Sequence, residues 1–180
     1  MRRKHGFTLL EMLVVVAVAG CLCAIAASVY GSAVSAGHAA AAKTSLAESV
    51  NLAFVQSSLR GQYVVLCASA GGHACDGGLD WTRGWIAFVD ANHDRERDPG
   101  EPILRVFRTL AHGVRLRTST GRTRIVFQPH GGVNAGTNVT FTFCDGRGAE
   151  KASTLVLANS GRMRTGMATP AQASACLAMG

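Results

Sequence analysis

The sequence predicts an α+β fold, with one long N-terminal helix followed by a small domain of short β-strands. Two observations lead to this prediction. Glu11 is the only charged residue between Phe7 and Tyr30, so this stretch has the composition of a membrane-spanning helix. After Gly61 the apolar residues instead form short strand-like runs that Gly-rich turns separate. The chain of 180 residues is long enough for one modest domain besides the helix.

The apolar stretch at residues 7–30 is expected to cross the membrane once. As a helix it measures roughly 36 Å, at about 1.5 Å per residue, which exceeds the bilayer core of about 30 Å. Arg2, Arg3 and Lys4 precede it, and basic residues stay on the cytoplasmic side, so the C-terminal domain is expected in the periplasm. An ordinary secretory signal has a shorter apolar core and a cleavage site behind it.

The segment GFTLLEMLVVVAVAG at residues 6–20 resembles the prepilin-peptidase site of type IV pilins and type II secretion pseudopilins. The resemblance implies that prepilin peptidase cuts after Gly6, removing residues 1–6 as a leader, and that Phe7 is then N-methylated. It also implies an inner-membrane location and contacts with other major and minor pilins through the N-terminal helix.

Glu11 corresponds to the glutamate of that family and is expected to act in assembly. A carboxylate in the apolar part of a membrane helix costs about 2.5–3.5 kcal/mol and usually has a partner. The α-amine of a neighbouring subunit's Phe7 supplies the opposite charge in a helical bundle. The alternative is a Glu11 side chain that reaches the nearby lipid headgroups.

The helix is predicted to continue over residues 31–61, as a periplasmic half that packs on a sheet. Its apolar side chains recur at helical spacing, and Gly61 is expected to stop the helix. The residues that define this stripe are Leu46, Val50, Ala53, Phe54 and Ser57.

Seven strands are predicted within a β-rich domain at residues 62–166. They cover residues 62–67, 84–90, 103–108, 114–118, 124–128, 139–144 and 154–158. The tail at residues 167–180 is rich in Ala, Ser and Thr. We expect it to be loosely ordered apart from Cys176, which pins it to the domain.

Four of the six cysteines lie in the predicted exported domain, where an even number suggests disulfides. Three pairings are possible. We expect Cys67–Cys75, which closes a short Gly-rich loop, and Cys144–Cys176, which holds the tail. Cys21 and Cys23 lie in the apolar stretch and are expected to be small apolar residues without reactivity.

Two further segments carry a resemblance to the FimT/GspH group of minor pilins and pseudopilins. The first is DWTRGWIAFVDANHDRERDPGEPILRVF at residues 80–107. The second is IVFQPHGGVNAGTNVTFTFCDGRG followed by LVLANSGRMR, ending at residue 164. Together with the N-terminus the resemblance covers residues 1–165. It implies a type IV pilin-like fold, in which the long helix packs on antiparallel sheets, and assembly into a cell-surface pilus.

Positive charge is concentrated in the second half of the chain. Residues 104–164 hold ten basic and two acidic side chains, a net +8, whereas residues 76–101 hold seven acidic and three basic ones, a net −4. This asymmetry indicates an anionic partner. A solvated, solubilising face is the alternative interpretation.

Six arginines form pairs at i, i+2 spacing, which places both members on one face of a strand. In FimT-type minor pilins the matching GRxR segment is implicated in binding DNA during natural transformation, so the resemblance implies this role for Arg162 and Arg164. Double-stranded DNA is therefore the expected partner, and guanidinium groups suit its phosphates. The alternative is a strand edge whose charges oppose aggregation. The predicted DNA-binding residues are Arg115, Arg117, Arg122, Arg124, Arg162 and Arg164.

The segment at residues 90–101 has oxygen-bearing side chains at the spacing of an EF-hand calcium loop. Arg95 stands where that loop needs glycine, and the flanks are predicted strands, so the sequence favours no metal and no cofactor. The residues at the ligand positions are Asp90, Asn92, Asp94, Glu96, Asp98 and Glu101.

The sequence offers no support for an enzyme. It contains no GxSxG, Walker or HExxH motif, and its histidines have no Cys or Asp at a recognisable metal or catalytic spacing. The preferred function is a minor type IV pilin that joins the pilus and binds extracellular DNA for uptake. The alternatives are a GspH-like pseudopilin of a type II secretion system and a purely structural minor pilin.

Overall fold

The computed structural model describes residues 8–134 and 138–179, with the backbone alone at residues 26–28. The predicted leader and the predicted methylation site, Gly6 and Phe7, lie outside the described residues. The chain divides into two compact units, one ending at Val34 and one beginning at Ser35.

Helix α1 spans Leu9–Arg60 and passes through both units. Thr8 caps its start, because its Oγ1 accepts a hydrogen bond of 3.2 Å from the Glu11 backbone N–H. The helix ends at Arg60, and Gly61 follows with φ 64°, a left-handed conformation that glycine adopts without strain. α1 is long and apolar enough to cross a membrane, and its most apolar 18-residue window is not buried within the protein.

Eight strands form two antiparallel four-stranded sheets in the second unit. The first sheet has the order β3-β2-β1-β5 and the second the order β4-β6-β7-β8. The strands are β1 Val64–Ala68, β2 Trp85–Val89, β3 Ile103–Phe107, β4 Arg115–Thr118, β5 Arg124–Phe127, β6 Val139–Cys144, β7 Ser153–Leu157 and β8 Met163–Met167.

The main core lies between the apolar face of α1 and the two sheets. Leu46 of α1 is fully buried, and the indole Nε1 of Trp85 donates a 2.9 Å hydrogen bond to Ser49 Oγ on the same helix. Trp85 also stacks on Phe107, with ring centroids 4.0 Å apart. These contacts join α1 to the first sheet, as the apolar stripe in the sequence predicted.

The C-terminal tail differs from the prediction of loose order. Residues Pro170–Leu177 form helix α2, whose N-terminus has a capping box between Thr169 and Gln172. Ala173 and Cys176 on this helix are buried against β6. The cap and the burial together stabilise a helix that the Ala-, Ser- and Thr-rich composition did not indicate.

Two disulfides are present, with the pairing expected from the sequence. Cys67 is bonded to Cys75, and Cys144 of β6 is bonded to Cys176 of α2. The second bond holds α2 on the second sheet. Cys21 and Cys23 are free and exposed on α1.

Candidate nucleic-acid interface

The second sheet has one face in the core and one face turned away from it. Leu116, Phe141 and Leu155 alternate with residues of the opposite face along their strands and are buried in the core. Directly paired residues of antiparallel strands lie on the same face. The register therefore defines an outer face that consists of Arg115, Arg117, Thr140, Thr142, Cys144, Thr154, Val156, Arg164 and Gly166. Helix α2 packs on β4 and β6, and Thr142, Cys144 and Thr154 of this face are buried.

Arg164 lies on the edge strand β8, and Arg162 lies immediately before that strand. Both side chains are exposed. The Arg162 carbonyl accepts a 2.9 Å hydrogen bond from the Ala158 backbone N–H, which closes the β7–β8 turn. Within the described part of the chain, no acidic side chain pairs with either arginine. Their guanidinium groups are therefore available to an anion.

The structure shows why position 161, immediately before Arg162, is a glycine. Its φ is 82°, and a Cβ added there would lie 2.5 Å from the Phe54 ring of α1. The turn can approach α1 this closely only without a side chain at position 161. The helix thus helps to hold Arg162 and Arg164 at the sheet edge.

Arg117 lies on β4, the opposite edge of the same sheet, and is partly exposed. It lines a groove of about 240 Å³ between the outer face and α2. Two strands separate β4 from β8, so their backbones lie about 14 Å apart at about 4.8 Å per step. The outer face therefore presents unpaired positive charge along both edges.

Hydroxyl and amide groups line the same groove as Arg117, and the sequence did not indicate them as site residues. They are Ser119, Thr140, Thr142 and Gln172. Hydroxyl and amide side chains commonly bond phosphate oxygens beside arginine. The available signal was the alternation of threonine with phenylalanine in β6, which places the threonines on the outer face.

Arg115 also lies on the outer face but has a structural contact. Its guanidinium donates to the carbonyl oxygen of Leu177, the last residue of α2. A cation at a helix C-terminus interacts favourably with the helix dipole. Arg115 therefore helps to hold α2 in place, next to the Cys144–Cys176 disulfide.

Arg122 and Arg124, two of the six arginines predicted to bind DNA, do not lie on the strands of the second sheet. Arg122 lies in the connection between β4 and β5, and Arg124 lies on β5 in the first sheet. Arg124 forms an ion pair with Glu96. The chain leaves one sheet for the other after Thr118, so i, i+2 spacing beyond that point no longer places side chains on the outer face.

Other arginines of the basic region are also neutralised locally. Asp145 is buried and accepts from Arg147, at 2.9 Å from Nε and 2.7 Å from Nη2. Desolvation raises the pKa of Asp145, but the hydrogen bonds and charge of Arg147 outweigh it, so the pKa lies below its usual value. Arg105 forms a more exposed pair with Glu48 through one contact of 3.1 Å. These pairs reduce the positive charge that the basic region presents away from the outer face, where Arg108 is still exposed.

The segment at residues 90–101, here called the acidic loop, connects β2 to β3. Glu101 holds its two ends together, since Oε1 accepts from the Ala91 N–H at 2.6 Å and Oε2 from the Asp98 N–H at 3.1 Å. Asp90 is buried at its start, and desolvation raises the pKa of its carboxyl group, which the Arg95 N–H offsets only in part.

Comparison with known families decides the class of protein. The profile described as type II transport protein GspH matches residues 42–161. The chain belongs to the GspH family. A second profile, the prokaryotic N-terminal methylation motif, matches residues 1–27 of this GspH-family chain. A pilin family implies assembly with other pilins, and the methylation motif implies processing by prepilin peptidase. No curated protein sequence matches the chain.

Two crystal forms of the type IV minor pilin FimU from Pseudomonas aeruginosa (strain PAO1) share the fold. One has a TM-score of 0.55 at 17% identity and covers 70% of this GspH-family chain and 90% of FimU. The other has a TM-score of 0.56 at 17% identity, with 76% and 90% covered. This likeness confirms the predicted type IV pilin-like fold, a long N-terminal helix with antiparallel sheets.

Proposed function

We propose that this chain is a minor type IV pilin that joins the pilus and binds extracellular double-stranded DNA for uptake in natural transformation. The observation that carries the proposal is a pair of exposed arginines, Arg162 and Arg164, at the edge of the sheet that holds Arg117. Among the residues that the structure describes, neither has an acidic partner. The chain then acts by assembly and binding, not by catalysis.

The outer face suits the DNA backbone better than the bases. Guanidinium groups bind phosphates in a bidentate manner, and the partly exposed hydroxyl groups of Ser119 and Thr140 beside Arg117 add hydrogen-bond donors. The residues that define the outer face include no aromatic side chain on which a base can stack. Binding is therefore expected to be weak and independent of DNA sequence.

A salt titration tests this function directly. We expect the full chain in detergent micelles to bind a random DNA duplex through about four to six phosphates, so log K falls with log salt at a slope of roughly −4 to −5. Between about 50 and 200 mM salt the affinity then drops by two to three decades. An affinity that does not depend on salt would contradict phosphate binding.

The second candidate function is a pseudopilin of a type II secretion system, whose partners are other pseudopilins and secreted proteins. The match to the GspH profile favours it. A failure to bind DNA at low salt makes this the better function. The genomic neighbourhood also separates the two, since minor-pilin genes accompany the first and a secretion operon the second.

Processing between Gly6 and Phe7 is expected in the native host. Loss of residues 1–6 removes three positive charges and lowers the formal charge from +7 to +4. Intact-mass measurement of the membrane-extracted protein should show the loss of six residues and the gain of one methyl group. A Gly6→Val variant should keep its leader, whereas Gly31→Ala should be processed normally. A mass that corresponds to cleavage near residues 26–27 would indicate an ordinary secretory signal.

If α1 crosses the inner membrane, Glu11 has a role in assembly and the domain after α1 has a defined orientation. Glu11 is exposed on α1, three residues after the Thr8 cap. Its carboxylate is then free to pair with the α-amine of a neighbouring subunit. The basic residues before Phe7 keep the N-terminus in the cytoplasm, which places the domain after α1 in the periplasm of an inner-membrane protein.

A further inference from the structure

The acidic loop has the backbone turn that a calcium loop requires. At the sixth position, where an EF-hand has glycine, Arg95 has φ 67°. This is the left-handed conformation for which glycine is normally needed. The sequence argued against calcium because Arg95 replaces this glycine, but Arg95 adopts the conformation that the turn needs. The flanking strands β2 and β3 pair with each other, which holds the two ends of the loop side by side.

A buried carboxylate without a full set of partners lies at the first position of the loop. Asp90 is 1% exposed, and its Oδ2 accepts from the Arg95 N–H at 3.2 Å, which turns the carboxylate into the loop. Its Oδ1 is buried and has no hydrogen-bond partner. A buried acceptor of this kind is costly unless a donor or a cation satisfies it.

The carboxylates at the fifth and ninth positions already share one hydrogen-bond donor, the neutral side-chain amide at the third position. The Asn92 side-chain N–H₂ group lies 2.9 Å from Asp94 Oδ2 and 2.8 Å from Asp98 Oδ2. Among the described residues, no three Asp, Glu, His or Cys side chains are yet placed to hold a metal together. Rotation of the Asn92 amide removes its N–H₂ from between the two carboxylates and leaves that space to a cation.

We propose that the acidic loop binds one Ca²⁺ ion through side-chain oxygens of Asp90, Asn92, Asp94 and Asp98 and the backbone carbonyl of Glu96. These are positions 1, 3, 5, 9 and 7 of a calcium loop. Glu101 keeps the loop ends together from position 12. Oxygen ligands from a flexible loop select Ca²⁺ over Mg²⁺, because Mg²⁺ requires near-ideal octahedral geometry. The site is separate from the outer face and does not depend on DNA binding.

Equilibrium dialysis and urea unfolding of the full chain in detergent test the site, with Ca²⁺ itself as the probe. We expect one bound Ca²⁺ per chain and a Kd of about 10⁻⁴ M, in the range of extracellular calcium modules. At about 10 mM Ca²⁺, roughly 100 times that Kd, the folding equilibrium constant then rises about 100-fold over its value in EGTA. Fluorescence of the buried Trp81 and Trp85 reports the unfolding.

The test variant is Asp94→Asn with Asp98→Asn, and the control is Glu150→Gln, an exposed acidic residue outside the loop. All three proteins should unfold at the same urea concentration in EGTA. Among the described residues, the side chains of Asp94 and Asp98 accept only from Asn92 and Glu96 of the same loop. Ca²⁺ should stabilise the parent and the control but not the double variant. The proposal is overturned if the parent binds no Ca²⁺, if Mg²⁺ stabilises it equally, or if the double variant binds Ca²⁺ as tightly.

Discussion

Replacing Arg162 and Arg164 together with glutamine is expected to weaken DNA binding about 60-fold at about 0.1 M salt. Each lost phosphate contact removes nearly one unit from the slope of log K against log salt, so two contacts flatten it by about two. At 0.1 M salt that change in slope corresponds to a factor of roughly 10^1.8 in affinity. Fluorescence anisotropy with a labelled duplex measures both quantities.

A matched control separates this effect from a loss of net charge. Arg83 and Arg108 are also exposed, but neither lies on the outer face. An Arg83→Gln, Arg108→Gln variant loses the same charge and should leave the slope of log K against log salt nearly unchanged. Both variants should fold, because exposed charges contribute little to stability. Equal weakening by the two variants would mean that net charge, and not the outer face, binds DNA.

Gly84→Ala is expected to destabilise the domain by about 3–5 kcal/mol, the range of the most damaging core substitutions. Gly84 has φ 118°, and a Cβ there would lie 2.3 Å from the Phe107 carbonyl oxygen and 3.2 Å from that of Ser69. Both neighbours are backbone atoms, so no side-chain rotation relieves the clash. The contact also lies next to the stacked rings of Trp85 and Phe107.

Urea unfolding followed by tryptophan fluorescence measures this loss. Gly100→Ala is the control, since no atom lies within 4 Å of the Cβ that it adds and its φ is not left-handed. We expect the Gly100→Ala protein to unfold at nearly the same midpoint urea concentration as the parent. A Gly84→Ala protein with the parent's midpoint would show that the strands shift to accept the methyl group, against the rigid packing described here.

Local patterns were sufficient to predict the long helix and seven of the strands. The apolar stripe through Leu46 and Val50 faces the core because helical spacing alone places those residues on one side. Strand β8 was not predicted as an element, since Met163–Met167 is mostly exposed and has little apolar character. Its partner strand β7 and the turn at Gly161 determine its place, and both are tertiary contacts.

The sequence could not predict which sheet each arginine-bearing strand belongs to. Arg115 and Arg117 lie on β4, and Arg124 lies on β5 with Arg122 shortly before it, yet β4 and β5 lie in different sheets. Periodicity reports which face of a strand a residue is on, not which strand lies beside it. The ion pair between Arg124 and Glu96 could not be predicted for the same reason, because it joins residues far apart in the sequence. The pair between Arg147 and Asp145 is local, since these residues are only two positions apart.

The most direct test of the central claim, that the outer face binds DNA, is to map where DNA contacts the chain. The full chain is cross-linked to a duplex with photoreactive groups along its backbone, and the labelled peptides are identified by mass spectrometry. We expect cross-links on the β7–β8 turn, on β8 and around Arg117, and their loss in the Arg162→Gln, Arg164→Gln variant. Cross-links concentrated instead on the first sheet or the acidic loop would contradict it.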